Sequence, residues 1–186
     1  MRVIAFVFLF LVSIVLKAQH DHSSILASQA PDKVIIYMAV DCPITQKYMG
    51  TIKELAQRYQ SQQITFIGYF PAGLSKKAEK EFRQEYQVPD IIPFIDDKKH
   101  IITNKYGATV TPEVVLIDKN QQIIYQGSID NWFFELGRYR LEITEHYLID
   151  AIESSLKGNQ PTVKKTEAIG CFIQGTTASK TDHHQH

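Results

Sequence analysis

A three-layer α/β/α domain, with helices on both faces of one central mixed β-sheet, is the fold class this sequence predicts. Three observations carry it. Val34-Ile35-Ile36-Tyr37-Met38-Ala39-Val40 is a near-continuous apolar run, the pattern of a strand covered on both faces. Pro43 then opens a stretch in which Ile44, Tyr48, Ile52, Leu55 and Tyr59 recur at helical spacing. Further on, Val114-Val115-Leu116-Ile117 and Ile123-Ile124-Tyr125-Gln126-Gly127 flank the turn Asp118-Lys119-Asn120 and read as a hairpin.

The remaining elements follow in order. Lys33 to Val40 is the first strand, and Ile64 to Phe70 is the second, broken by Pro71-Ala72-Gly73. Ser75 is placed to cap a helix running to Tyr86, with Ala78, Phe82 and Tyr86 on its inner face. Val88 to Ile95 is a short apolar stretch punctuated by Pro89 and Pro93, followed by a charged turn, Asp96-Asp97-Lys98-Lys99. Ile101 to Tyr106 reads as one or two helical turns ended by Gly107. Ile143, Tyr147, Leu148, Ala151, Ile152 and Leu156 mark a last helix, stopped by Gly158 and Pro161. No internal repeat is present.

Composition sets the outer bounds. The chain has 186 residues, enough for one domain with short tails, and 44% hydrophobic content suits an ordinary core. Lys plus Arg and Asp plus Glu both number 20, so charge gives no argument for nucleic acid or an anionic membrane. Arg2, the apolar run Val3 to Leu16, and Lys17-Ala18 predict a signal peptide over residues 1–18, cleaved after Ala18, with an uncleaved membrane anchor as the rival. Loss of Arg2 and Lys17 leaves 18 basic against 20 acidic residues, a net charge of −2. The expected product is exported, to a periplasm or the extracellular space, with no stable membrane insertion. Residues 19–32 read as a flexible polar lead-in, 33–160 as the domain, 161–173 as an extension carrying Cys171, and 174–186 as a disordered tail rich in histidine.

Cys42 is one of only two cysteines. It sits between the end of a strand and the first turn of a helix that begins at Pro43. There a sulfur meets unpaired backbone N–H groups and the positive end of the helix dipole, both of which favour the reactive thiolate. Cys171, the second cysteine, has three open roles: a resolving thiol that completes a catalytic cycle, one half of a permanent staple, or a contact with another subunit. Thr45 is placed to donate to the sulfur or to face solvent. Glu113 reads as a solvated carboxylate, with proton transfer near the thiol as the alternative. Arg138 and Arg140 are expected in surface ion pairs with Glu135 or Glu142, with thiolate or oxidant binding as the alternative; Asp130 and Trp132 are placed on the same rim, with a core or subunit contact as the alternative for Trp132. His20 and His22, with His183, His184 and His186, are weak metal candidates in otherwise polar tails. No cofactor is expected.

Five segments in order carry a family resemblance: Cys42-Pro43-Ile44, Thr111-Pro112-Glu113, Gly127-Ser128-Ile129-Asp130, Leu136-Gly137-Arg138-Tyr139-Arg140 and Gly170-Cys171-Phe172-Ile173. Over about residues 33–173 the chain resembles thioredoxin-like redoxin-domain proteins of the alkyl hydroperoxide reductase/thiol-specific antioxidant type. The resemblance implies a thioredoxin-like fold and a catalytic Cys42. It also implies a cis Pro112 packed on the sulfur, with the Thr111 backbone offered to an extended substrate. Two departures stand out. The residue three after Cys42 is Thr45, where a dithiol thioredoxin has a second cysteine. The residue three before it is Ala39, where a typical peroxiredoxin has a threonine that orients peroxide. The expected function is a thiol-dependent oxidoreductase acting on a protein thiol or disulfide partner or on a small hydroperoxide. The alternatives are a copper-handling protein of the same fold and a non-catalytic module stapled by Cys42–Cys171.

Overall fold

The computed structural model describes residues 32–176. The apolar N-terminal run and all five tail histidines singled out above lie outside the described residues. Strand β1 (Lys33–Tyr37) leads into α1 (Pro43–Tyr59), followed by β2 (Thr65–Phe70), α2 (Lys76–Tyr86), β3 (Phe94–Asp96) and α3 (Ile101–Tyr106). Then come β4 (Val110–Thr111), β5 (Glu113–Ile117), β6 (Ile123–Gly127), β7 (Phe133–Glu135), β8 (Arg138–Tyr139), α4 (Tyr147–Leu156) and β9 (Cys171–Phe172).

The central sheet has the order β3-β2-β1-β5-β6. β1 pairs in parallel with β2 and antiparallel with β5, so the sheet is mixed. Residues alternate between its faces as the pleat requires. Val34, Ile36, Val114 and Leu116 join the larger core with Ile44, Tyr48 and Ile52 of α1, Phe82 of α2 and Leu148, Ala151 and Ile152 of α4. Ile35, Tyr37, Val115 and Ile117 face the other way and pack with Tyr106, Ala108 and Ile173. Helix α2 is capped as expected, Ala78 N donating to Ser75 Oγ at 3.1 Å, and β5 and β6 form the expected hairpin.

Several boundaries differ from the sequence reading, each for a local reason. β1 stops at Tyr37, not Val40, because Cys42 N donates to Ala39 O and turns the chain toward α1. Helix α4 starts at Tyr147, leaving Ile143 outside. Residues 144 and 145 are instead held by Asn131, whose Oδ1 accepts from both of their backbone N–H groups. The β7–β8 hairpin, turning at Gly137 with φ of 76°, was not anticipated. Asp97 is no solvated turn residue. It is buried, and its carboxylate accepts from the N–H groups of Ile101, Ile102 and Thr103 and from Thr103 Oγ1. The Asp97 carboxylate thus caps α3, whose own N-cap residue, His100, makes no side-chain capping bond.

Removing that carboxylate strands two buried donors, Thr103 N and Oγ1, and two part-buried ones. Asp97→Ala is expected to lower the urea-unfolding free energy by about 2–3 kcal/mol, with Asp97→Asn losing less. An Asp97→Ala midpoint equal to wild type contradicts the capping role.

Candidate functional site

Cys42 is the N-cap residue of α1, with Pro43 at the first helical position. Pro43 has no N–H to leave unsatisfied, and the first turn carries no acidic side chain to neutralise the helix dipole. The amide of Thr45 is the one that acts on the sulfur. Cys42 is only 2% exposed.

β4 and β9 bring the rest of the constellation. They pair antiparallel with Thr111 opposite Cys171 and Val110 opposite Phe172. This places Cys171 Sγ 2.7 Å from Cys42 Sγ, both sulfurs being free thiols. The Thr111–Pro112 bond is cis, and the Thr111 carbonyl oxygen stands 3.0 Å from Cys42 Sγ.

The two thiols ionise differently. Burial pushes Cys42 up, but hydrogen bonds from Cys171, from the backbone and hydroxyl of Thr45 and from the Thr111 side chain outweigh it and hold Cys42 below the ordinary thiol value. The Thr111 carbonyl opposes this, since it accepts only from a protonated sulfur; with more donors than acceptors facing the sulfur, the thiolate is favoured. Cys171 is pushed up to about 12, first by burial, then by donating to Cys42 and by the charge of Cys42 and Asp41. The two tendencies are opposite: Cys42 is shifted toward its thiolate and Cys171 toward its thiol.

Thr45 settles between its two sequence-level roles. It is fully buried, and its Oγ1 makes no hydrogen bond of ordinary geometry, the Cys42 sulfur being the acceptor it faces. An unpaired buried hydroxyl is costly, and the Cys42 thiolate is the acceptor within its reach. Ionisation of Cys42 therefore satisfies Thr45.

Glu113 corrects the expectation of a solvated carboxylate. It is 6% exposed, with Oε2 accepting from Thr109 N at 2.9 Å and Oε1 from Gln126 Nε2 at 2.7 Å. It holds β4, β5 and β6 together behind the cis-proline. Arg138 does pair with Glu135, but Arg140 donates to Asn131 O and lies over the Phe134 ring, with no bond to Glu142.

Asp130 is buried, not on a rim. Its Oδ1 accepts from Tyr48 OH at 2.5 Å and from Trp132 N at 2.8 Å. Trp132 is half-buried, edge-on to Tyr48. Tyr48 and Pro112 share the lining of one small cavity, so this pair backs the cis-proline. The sequence reading missed Tyr48 as a polar partner because its helical spacing marked it as core. Among the described residues no group of three or more His, Cys, Asp or Glu could hold a metal ion.

Thr45→Val removes a donor to the thiolate, so the alkylation pKa of Cys42 is expected to rise, with roughly tenfold less thiolate at neutral pH. An unchanged titration curve removes Thr45 from the site. Asp130 supplies a second test. Burial raises its pKa above the ordinary value despite the Tyr48 and Trp132 bonds. A raised carboxyl contributes stability that is present below the ordinary carboxyl range and lost as pH rises through the folded-state value. The stability difference between wild type and Asp130→Asn is thus expected to fall from acid pH upward and to flatten once Asp130 is ionised. A difference that grows with pH contradicts this.

The Redoxin family model matches residues 13–131, a span that contains Cys42 and Thr111-Pro112-Glu113 and ends before Cys171. No curated protein matches the chain. Among solved structures, the chain is similar to an uncharacterized conserved protein from Geobacillus kaustophilus, at 21% identity and a TM-score of 0.68, covering 79% of this chain and 78% of that one. It is also similar to a hypothetical protein from Sinorhizobium meliloti 1021, at 20% identity and a TM-score of 0.67, over 81% and 82% of the two chains. A candidate thioredoxin from Neisseria meningitidis follows at 17% identity and a TM-score of 0.53, over 86% and 85%. At these identities the neighbours speak for the fold, which is thioredoxin-like. The family match carries more: this chain belongs to the Redoxin family, and is in general terms a thiol oxidoreductase.

Proposed function

We propose that the chain is a two-cysteine thiol oxidoreductase in which Cys42 attacks the oxidant and Cys171 resolves the product. The observation that carries this reading is the 2.7 Å approach of two free sulfurs with opposite ionisation tendencies. A nucleophile is required as thiolate and a resolving group can wait as thiol, and that is the asymmetry found here.

With a hydroperoxide, the Cys42 thiolate takes the terminal OH as the O–O bond breaks and becomes a sulfenic acid, while the leaving alkoxide or hydroxide takes a proton from solvent and departs as alcohol or water. Cys171 then attacks the Cys42 sulfur, the S–S bond forms, and the sulfenic oxygen departs as water with the Cys171 proton. With a disulfide substrate, Cys42 breaks the S–S bond, forms a mixed disulfide with one sulfur and releases the other as a thiolate; Cys171 then attacks the Cys42 sulfur and displaces the remaining substrate thiol. Either cycle ends in Cys42–Cys171, and two electrons from an external dithiol reopen it. Thr45 and the first amides of α1 hold the thiolate, and Thr111, Pro112 and Glu113 fix the wall against which it stands.

The apolar segment before Lys17 supports export of the chain, where such a pair would cycle in an oxidising compartment. Among the described residues no helix is long and apolar enough to cross a membrane.

Peptide mapping without reduction, before and after one equivalent of hydrogen peroxide, tests the assignment. The expected result is two free thiols converted to one Cys42–Cys171 link that dithiothreitol reverses. Cys42→Ser is expected to abolish peroxide consumption, and Cys171→Ser to stop at a Cys42 sulfenic acid trapped by dimedone. A link that resists mild reductant, with no turnover, identifies a structural staple; two thiols that stay free remove Cys171 from the cycle.

A further inference from the structure

The residues that deliver Cys171 also fill the edge beside Cys42. After α4 the chain returns as a strap along β6 and then β4. Gln126 N donates to Lys164 O and Thr166 N to Gln126 O, each at 3.0 Å. The Thr166 hydroxyl bonds Tyr125 OH and accepts from Ser128 N, and Ser128 Oγ donates to Glu167 O. At the far end, β9 pairs with β4, and Ile173 N donates to Thr109 O at 2.9 Å. Ile173 is buried in the second core, which locks that end.

Two glycines let the strap come this close. A Cβ on Gly127 would strike the Thr166 hydroxyl and carbonyl, and one on Gly170 would strike the carbonyl of Thr111. In both cases backbone is among the atoms met, and backbone cannot swing aside.

An extended polypeptide that presents a cysteine to Cys42 has to run beside Thr111, whose carbonyl is 3.0 Å from the sulfur. Such a segment binds by adding a strand to a free edge. That edge is taken. We propose that residues 164–173 act as a built-in occupant of the β4 edge, a specificity element that bars extended polypeptides and restricts Cys42 to low-molecular-weight oxidants. The inference rests on Cys42 being the nucleophile and narrows its substrate class. A molecule of a few atoms needs no backbone edge, so the strap excludes strands while leaving the sulfur's chemistry intact.

The test uses full-length protein carrying Cys171→Ser, so that resolution does not interfere, with and without Gly170→Val. Two probes share a thionitrobenzoate leaving group: 5,5′-dithiobis(2-nitrobenzoate), and a ten-residue peptide joined to thionitrobenzoate through its cysteine. In each case Cys42 bonds to one sulfur and thionitrobenzoate departs with the electron pair, which gives one optical readout for both. Gly170→Val is expected to raise the peptide rate relative to the small disulfide by about tenfold, the effect of one or two recovered backbone hydrogen bonds. Faster amide exchange at Ile173 reports that the strap has left its seat.

An unchanged rate ratio with the Ile173 amide freed overturns the specificity role. An Ile173 amide that stays protected overturns the reading of Gly170 as the point of closest approach, and with it the strap as a fixed occupant. Because Gly170→Val risks misfolding, Ile173→Ser, which loosens the same end without touching Gly170, is measured alongside and is expected to shift the ratio in the same direction. If Cys42 reacts with neither probe nor with hydrogen peroxide in the unaltered strap, the nucleophile assignment itself falls.

Discussion

The pairing of Thr111 with Cys171 is the contact on which the rest of the site depends. On one side it fixes the cis-proline turn against the Cys42 sulfur; on the other it carries the second sulfur to within 2.7 Å of the first. Neither strand is more than two residues long. So short a ladder holds only because its flanks are pinned by stronger attachments. Glu113 clamps the start of β5 through Thr109 and Gln126, and Ile173 is sunk in the core beyond β9.

Around that contact the electrostatics are built almost without formal charge. The groups that hold the Cys42 thiolate are amide and hydroxyl donors at the head of α1 and a neighbouring thiol, and the first turn of the helix adds no carboxylate. Asp41 adds only the smallest of the influences that push Cys171 toward its protonated form, after burial and Cys42 itself. Hydrogen-bond donors, the Cys171 thiol first, shift one sulfur toward its thiolate, and burial, before any charge, shifts the other toward its thiol. An arrangement of this kind is screened little by salt, because its donors lie within hydrogen-bond reach of a buried sulfur.

The sequence made the outline legible and left the closure obscure. Periodicity placed α1 from Pro43 to Tyr59, as observed, because its core-facing residues form an unbroken stripe. The β5–β6 hairpin was readable from two apolar runs and a turn. Residues that serve as local scaffolds were not readable. Asn131 delays α4 by side-chain bonds to residues 13 and 14 positions away, and Asp97 looks like any charged turn until its four donors are seen. Glu113 passed for a solvated carboxylate because the Gln126 that pairs with it lies across the hairpin. Cys171 could be named, since only two cysteines exist. Its register opposite Thr111 could not, because nothing local in residues 161–173 says which edge they will join.

The two sulfurs are 129 residues apart in the chain. During synthesis the first emerges long before the second, and β1, α1 and the β5–β6 hairpin are all made while Cys42 has no partner. A chain that lacks the last few described residues therefore leaves Cys42 without Cys171, and without the hydrogen bond that does most to lower its pKa. The two arms of the site are thus joined only through β9, the last of the described strands to be made.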